Sequence, residues 1–437
     1  MGSARETALK ALERCRRSGA WSDAVLDSII KNDGLDRRDA ALATRLCYGV
    51  LQNQALCDYC IGKYSKLKPG KLEPKLLDIM RLSVYQVIFM DKIPSEVAVN
   101  EGVSLAKKLG LSRASGMVNA ILRRIAENKD TLITVADKKG EEYLAVRYSH
   151  PLWLVSEFVN TLGDEQAEAL LKANNEDVPI MAQVNTLKAT TIELAEKLKA
   201  TMHPWIDDML LLDGMAAAFD TGALEGGLLY IQDAAAKLAV LAAVPAAGMR
   251  ILDACTAPGG KSFAAAILTE NKAEITACDI HEKKLRRVEE GAKKLGITCI
   301  DTLAMDARVQ EESFFQSFDL VIADVPCSGL GVIRKKPDIR YKNPDEILKL
   351  PEIQLDILQN LSNYVKPGGM LLYSTCTILR RENEDVIEAF LSDNKDFKAE
   401  SFSLPEPIGR VEGAMITLLP HIHKTDGFFI CKLKRSN

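Results

Sequence analysis

Over residues 1–130 the apolar positions recur at helical spacing. TALKALERC, DAALATRLCYGVL, KLLDIMRLSVYQVIFM and NAILRRIAE each place Ala, Leu, Ile or Val three and four residues apart, which predicts amphipathic helices. Asp33-Gly34, Lys68-Pro69-Gly70 and Ile93-Pro94 supply the breaks, and Pro94-Ser95-Glu96 can open a helix. Thr131 to Gly140 is polar and charged and reads as a linker. The pattern then becomes mixed. WLVSEFVNTLG and ATTIELAEKLKA have helical periodicity, whereas PIMAQVNT alternates as a strand does.

From about Ile231 short apolar runs alternate with amphipathic ones. The runs RILD, EITACDI, TCIDTLAMD, FDLVIADV and GMLLYSTC predict five strands; SFAAAILTE, KKLRRVEEGAKKLG and the stretch around DEILKLPEIQLDILQNLSNYVK predict helices between them. Such alternation implies a parallel sheet wrapped by helices. The expected organisation is multidomain: an all-α domain over 1–140, a small α/β module over 141–230, and an α/β Rossmann-like domain over 231–437. A length of 437 residues agrees with two to three domains at ~150 residues each.

Composition narrows the class. At 47% hydrophobic and 27% charged, the chain is an ordinary globular one and not a disordered one. Its longest apolar stretch, Leu238 to Met249, is interrupted by Pro245 and falls short of the ~20 residues a bilayer span needs. The first residues are charged from Arg5 onward and lack an apolar signal core, and Glu6 stands where a myristoylation signal needs Ser or Thr; a cytoplasmic location is expected. Ten cysteines are too few for a disulfide scaffold. Cys57 and Cys60 form a lone C-x-x-C set among Leu51, Leu56 and Ile61, which reads as helix packing, and His421 and His423 alone cannot close a ligand set; no metal site is predicted. Charge is uneven. Residues 1–140 hold 24 basic and 16 acidic side chains, a net of +8 that leaves −12 for the rest. A basic front end suits a polyanion partner, although solvated helix faces account for the charge equally well.

Asp253-Ala-Cys-Thr-Ala-Pro-Gly-Gly-Lys-Ser262 is a strand-end turn running into a helix. Ligands of doubly wound sheets sit at such carboxyl ends, and helix-start N–H groups favour an anionic group. A P-loop would need Gly at position 255, which is Cys, and G-x-G-x-x-G is absent. The remaining reading is an S-adenosylmethionine turn whose backbone cradles the methionine carboxylate. Asp279 lies 20 residues after Gly259, the spacing at which an acid meets ribose hydroxyls. Asp306 and Asp324 close the next two strands, in reach of an adenine edge and of the reacting group. A single strand-end Asp is often only a helix cap, but four in succession point to a cofactor crevice. Cys327 follows the fourth strand and Cys376 the fifth, so neighbouring strands would bring both thiols to that crevice. The remaining cysteines read as small hydrophobes.

The motifs DACTAPGGKS, ADVPCSGLGVIRKKPDIR and PGGMLLYSTCT resemble those of the RNA cytosine-5 methyltransferases of the RsmB/Nop family, and PSEVAVNEGVSLAKKLG with MVNAILRRI resembles a NusB-like RNA-binding domain. The combination is similar to the family's bacterial RsmB (Sun/Fmu) 16S rRNA branch over nearly the whole chain. Val325 departs from the usual Ala before Pro-Cys, and Thr256 stands where Ala is common.

The resemblance implies a class I methyltransferase domain that uses S-adenosyl-L-methionine and methylates carbon 5 of a cytosine, of the cytosine-967 type, in 16S rRNA. The substrate it implies is unmodified RNA not yet in complete subunits; no membrane or metal partner is expected, and the oligomeric state stays open with a monomer favoured. It assigns Cys376 as the nucleophile, Cys327 to adduct breakdown and release, and Asp324 to holding the cytosine ring. Cofactor contacts fall to Cys255, Thr256, Ala257, Pro258, Gly259, Gly260, Lys261, Asp279, Asp306 and Asp324, with Asp253 shaping the turn. Arg334, Lys335, Lys336, Arg340 and Lys342 follow the Pro-Cys loop and are expected on RNA phosphates. The target base must be unpaired or extruded, since a stacked ring admits no thiol beneath carbon 6. Two alternatives stay open: a tRNA cytosine-5 methyltransferase, and a non-catalytic RNA-binding or antitermination factor on a degenerate methyltransferase body.

Overall fold

The computed structural model describes residues 3–18 and 22–437. The chain forms two compact units, Met1–Glu176 with Ile333–Tyr341, and Asp177–Val332 with Lys342–Asn437.

The first unit is helical. Its centre is Pro74–Phe89, which starts with Pro at its first position and buries every residue from Leu76 to Val87. A helix that is apolar nearly all round belongs inside a bundle, and this one packs among Ala4–Ser18, Arg37–Gln52, Gln54–Tyr64, Ser95–Lys108 and Ser115–Glu127. Its two buried charged residues are paired: Arg81 chelates Asp58 with two 2.7 Å bonds and reaches Asp78, which also receives Arg16. Cys57 and Cys60 are fully buried in the apolar core, and that burial drives both thiols to high pKa values. The stretch 131–140 is not a bare linker: Leu132 and Val135 stand three residues apart and insert into the same core.

The second unit holds two larger sheets. The smaller joins β1 (Ile180–Val184), β2 (Thr201–Met202), β3 (Met209–Leu212) and β4 (Leu229–Ile231) in the order β2-β3-β1-β4, all antiparallel. The larger is built on β5 (Arg250–Asp253), β6 (Glu274–Asp279), β7 (Ile300–Ala304), β8 (Phe318–Asp324) and β9 (Val365–Thr375), which run parallel in the order β9-β8-β5-β6-β7. After β10 (Phe397–Ala399) and the minor pair β11 (Phe402–Ser403) and β12 (Arg410–Val411), the chain adds β13 (Met415–Leu418) and β14 (Phe428–Arg435). β14 pairs antiparallel with β9, β10 and β13, so the expected parallel sheet is in fact mixed. Residues 419–427 connect β13 to β14 over a length that suits an antiparallel return and not a crossover, while the direction of β14 against β9 is set by the sheet edge it meets. The chain leaves β5 toward β6 and β7, then returns to place β8 on the other side of β5. That reversal is a topological switch point, with its crevice outside the carboxyl ends of β5 and β8.

Candidate active site

Each predicted acid lies at that edge. Asp253 ends β5, Asp279 ends β6, Asp324 ends β8, and Asp306 follows β7 by two residues. After Asp253 the backbone turns sharply through Gly259 (φ +105°), a conformation that disfavours any side chain. It enters the helix Gly260–Leu268. A Cβ on Gly260 would lie 2.9 Å from Gln232 Nε2, so the turn is packed from β4's side. There Tyr230 donates to Gly260 O at 3.1 Å.

Asp253 is buried; its Oδ2 accepts from Ser262 at 2.6 Å, its Oδ1 has no protein partner, and burial raises its pKa to about 6. A glycine turn, a helix start and an unpartnered buried carboxylate oxygen fit a ligand carrying both anionic and cationic groups, as a methionine moiety does. Cys255 lines the turn with its thiol raised by burial, and Thr256 Oγ1 lies 2.8 Å from Ser262 Oγ. Asp279 accepts from the His281 backbone N–H at 2.9 Å, while both Asp306 oxygens are taken by Arg308.

The cysteines meet. Asp324 and Ser374 are register partners on β8 and β9, and the residues just beyond bring Cys327 Sγ to 3.2 Å from Cys376 Sγ. Around them lie Asp324, whose oxygens accept from Lys261 Nζ (2.6 Å) and Ser374 Oγ (2.8 Å), and Lys342, whose Nζ donates to Ser328 O at 2.6 Å. The Cys327 hydrogen bond, aided by Lys261 and Lys342, holds the Cys376 thiol below its ordinary value against burial and Asp324. Cys327 is held well above it by the same bond, burial, Glu382 and Asp324. The two sulfurs thus sit in different fields: the cations Lys261 and Lys342 act on Cys376, and the Glu382 carboxylate acts on Cys327.

A close backbone crossing braces this edge. Gly331 N donates to Cys376 O (2.9 Å), Gly427 N donates to Gly331 O (2.8 Å), and a Cβ on Gly331 would fall 1.9 Å from Gly427 O.

The basic stretch divides. Lys335 and Lys336 are exposed and Arg334 is half-buried. Arg340 corrects the expectation of a phosphate contact. It is 0% exposed, and its guanidinium donates to Gln52 O, Tyr148 O, Ser149 O and Asn175 Oδ1 within the helical unit. Its Nη1 and Nη2 are committed to these carbonyl oxygens, while Nε is buried without a partner among the described residues. Lys342 turns inward to the cysteine site. Sequence reading also missed Ser374, Gln354 and Glu382, which bond to the residues around both cysteines. Among the described residues no group of three metal-ligating side chains clusters, and no helix is long and apolar enough to cross a membrane.

Comparison with known proteins agrees with this architecture. Residues 240–434 match the 16S rRNA methyltransferase RsmB/F family, residues 2–127 the NusB family, and residues 150–217 the ferredoxin-like domain of RsmF/B-like methyltransferases. The chain is 38% identical to a probable ribosomal RNA small subunit methyltransferase B of Bacillus subtilis, with 99% of each chain covered. It is 33% identical to a protein of the same description from Synechocystis, covering all of both. The crystal structure of PH0851 superposes with a TM-score of 0.81 at 27% identity, over 99% of this chain and 98% of that one. With relatives this similar along their full length, the chain belongs to the RsmB/F family of 16S rRNA methyltransferases.

Proposed function

We propose that this protein methylates carbon 5 of a cytosine in unmodified 16S rRNA, at a site of the cytosine-967 type, through a covalent bond between Cys376 and the base. The observation that carries this reading is the 3.2 Å approach of Cys327 to Cys376 beside Asp324, at the strand ends next to the glycine turn. The small-subunit substrate rests on the relatives' descriptions.

Cytosine carbon 5 is a weak nucleophile within an aromatic ring. The Cys376 thiolate adds to carbon 6, and the displaced electron pair makes carbon 5 enamine-like. Asp324 holds the ring nitrogen or amino group during that addition. S-adenosyl-L-methionine, when bound at Cys255–Lys261 with Asp279 and Asp306 toward its nucleoside, supplies the electrophilic methyl that carbon 5 takes. The carbon-5 proton then passes to solvent water, its electron pair re-forms the 5,6 double bond, the carbon–sulfur bond breaks, and Cys376 leaves as thiolate. Cys327, beside that sulfur, assists this release. Lys335, Lys336 and Arg334 meet RNA phosphates, and the basic helical unit docks the RNA.

The test is incubation with labelled S-adenosyl-L-methionine and purified unmodified small-subunit rRNA or tRNA, followed by mapping of methylated cytosines. Label at one rRNA cytosine is the expected result. Label confined to tRNA, or no transfer, would discard the proposal in favour of a tRNA enzyme or a binding factor.

A further inference from the structure

One buried carboxylate ties together the two loops that carry the cysteines. Glu382 is 0% exposed. Its Oε2 accepts the Ser328 backbone N–H at 2.8 Å and Gln354 Nε2 at 3.0 Å, and its Oε1 accepts Thr377 Oγ1 at 3.3 Å. Ser328 is the residue after Cys327, and Thr377 the residue after Cys376. Ser328 Oγ donates to Thr377 Oγ1 at 2.8 Å, which closes a hydrogen-bonded ring through both loops. Gln354 also donates to Pro326 O at 3.0 Å, so the backbone is gripped on both sides of Cys327. The other end of Glu382 is fixed as well, because Tyr373 donates to its backbone carbonyl at 2.6 Å.

A fully buried carboxylate is costly to desolvate and persists only where its acceptors are used. Here they are spent on the two positions that set the separation of the sulfurs. The geometry assigns Glu382 the role of positioning residue for the cysteine pair: it holds Cys327 against Cys376 so that the carbon–sulfur bond to the base can break. This deepens the covalent reading above and rests on it. Glu382 acts through the cysteine loops, and its negative charge also favours the protonated form of Cys327.

The experiment uses the full-length chain with Glu382→Ala, Glu382→Gln, Ser328→Ala and Cys327→Ala. It measures S-adenosyl-L-methionine binding, single- and multiple-turnover methylation, and protein–RNA adduct surviving denaturing electrophoresis. Glu382→Ala should bind cofactor within about twofold of the parent and form adduct, but release product on the order of 100-fold more slowly, as loss of sub-ångström positioning does. Glu382→Gln should recover much of the release rate, since a carboxamide can accept from Ser328 and donate to Thr377. Should Glu382→Ala not fold, Ser328→Ala opens the ring while keeping the backbone bond, and should still slow release. Parent-like release in either variant would overturn the assignment, as would loss of cofactor binding and adduct together in Glu382→Ala and Glu382→Gln alike. If Cys327→Ala itself accumulates no adduct on ordinary cytosine, the covalent reading fails and this inference falls with it. If Cys327→Ala traps and Glu382→Ala does not, the inference alone fails.

Discussion

Lys261 and Asp324 join the glycine turn to the end of β8 through one ion pair of 2.6 Å. The same ammonium lies over the Phe428 ring, 5.0 Å from its centre, and the other Asp324 oxygen takes Ser374. A ligand in the turn and a base beside the cysteines would therefore feel one shared pair of charges.

Lys261→Met should weaken both halves of the site. It strands a mostly buried carboxylate, at a cost of about 2 kcal/mol once partial exposure of Asp324 is allowed for, and it removes a cation that favours the Cys376 thiolate. Chemical denaturation and isothermal cofactor titration should show lower stability and weaker binding. Parent-like values in both would show that the pair is inert.

The two cysteines should fail differently. Cys376→Ser should abolish methylation and the adduct with 5-fluorocytosine RNA while leaving cofactor binding near normal. Cys327→Ala should accumulate a protein–RNA species on ordinary cytosine that survives denaturing electrophoresis. Finding the trapped species in Cys376→Ala instead would exchange the roles.

The pH dependence follows from the direction of the shifts. The Cys376 value is depressed, so its thiolate persists below the pH at which an ordinary thiol is protonated, and reactivity is lost as pH falls through that depressed value. Iodoacetamide should modify Cys376 ahead of Cys327, with a midpoint below that of a free thiol. Lys342→Met should move the midpoint upward, since it removes one of the cations that lower it. Preferential labelling of Cys327, read by peptide mass spectrometry, would contradict the field described.

Arg340 and its neighbours should separate by assay. Arg340→Met should destabilise the chain by about 3 kcal/mol, because several buried carbonyls lose a charged donor, and Lys should not restore the planar fork. The salt dependence of RNA binding by folded Arg340→Met should be unchanged. Lys335→Ala with Lys336→Ala should flatten the log–log slope by roughly 1.5 with little effect on stability. The reverse pattern would return Arg340 to the RNA surface.

What could be read from the sequence was whatever depends on local order. Asp253, Asp279 and Asp324 each close an apolar run and precede a turn, so their place at strand ends needed no knowledge of the fold. Cys376 was legible in the same way. Arg340 was not: it sits in a basic run, and its burial depends on carbonyls and an amide 165 to 288 residues away in sequence. Glu382 and Gln354 lie 54 and 28 residues from their partners on the Cys327 loop and carry no local signature. The antiparallel direction of β14 likewise depends on which edge of the sheet it meets, which its apolar run does not encode.

The small antiparallel sheet has a further consequence. Met181, Ile206 and Met209 sit in the same apolar cluster as Ala234, Phe263 and Ile275, and Asn185 donates to Gly227 O and to Leu295 O. One face of that sheet therefore shares its interior with the methyltransferase sheet, while the other face keeps a core of its own around Val184, Leu198 and Leu229. Shared interiors melt together, so ancestry and cooperativity draw different borders here. A chimera cut at residue 230 would sever a single folding unit, whereas recombination that carries residues 177–332 and 342–437 as one block keeps that interior whole.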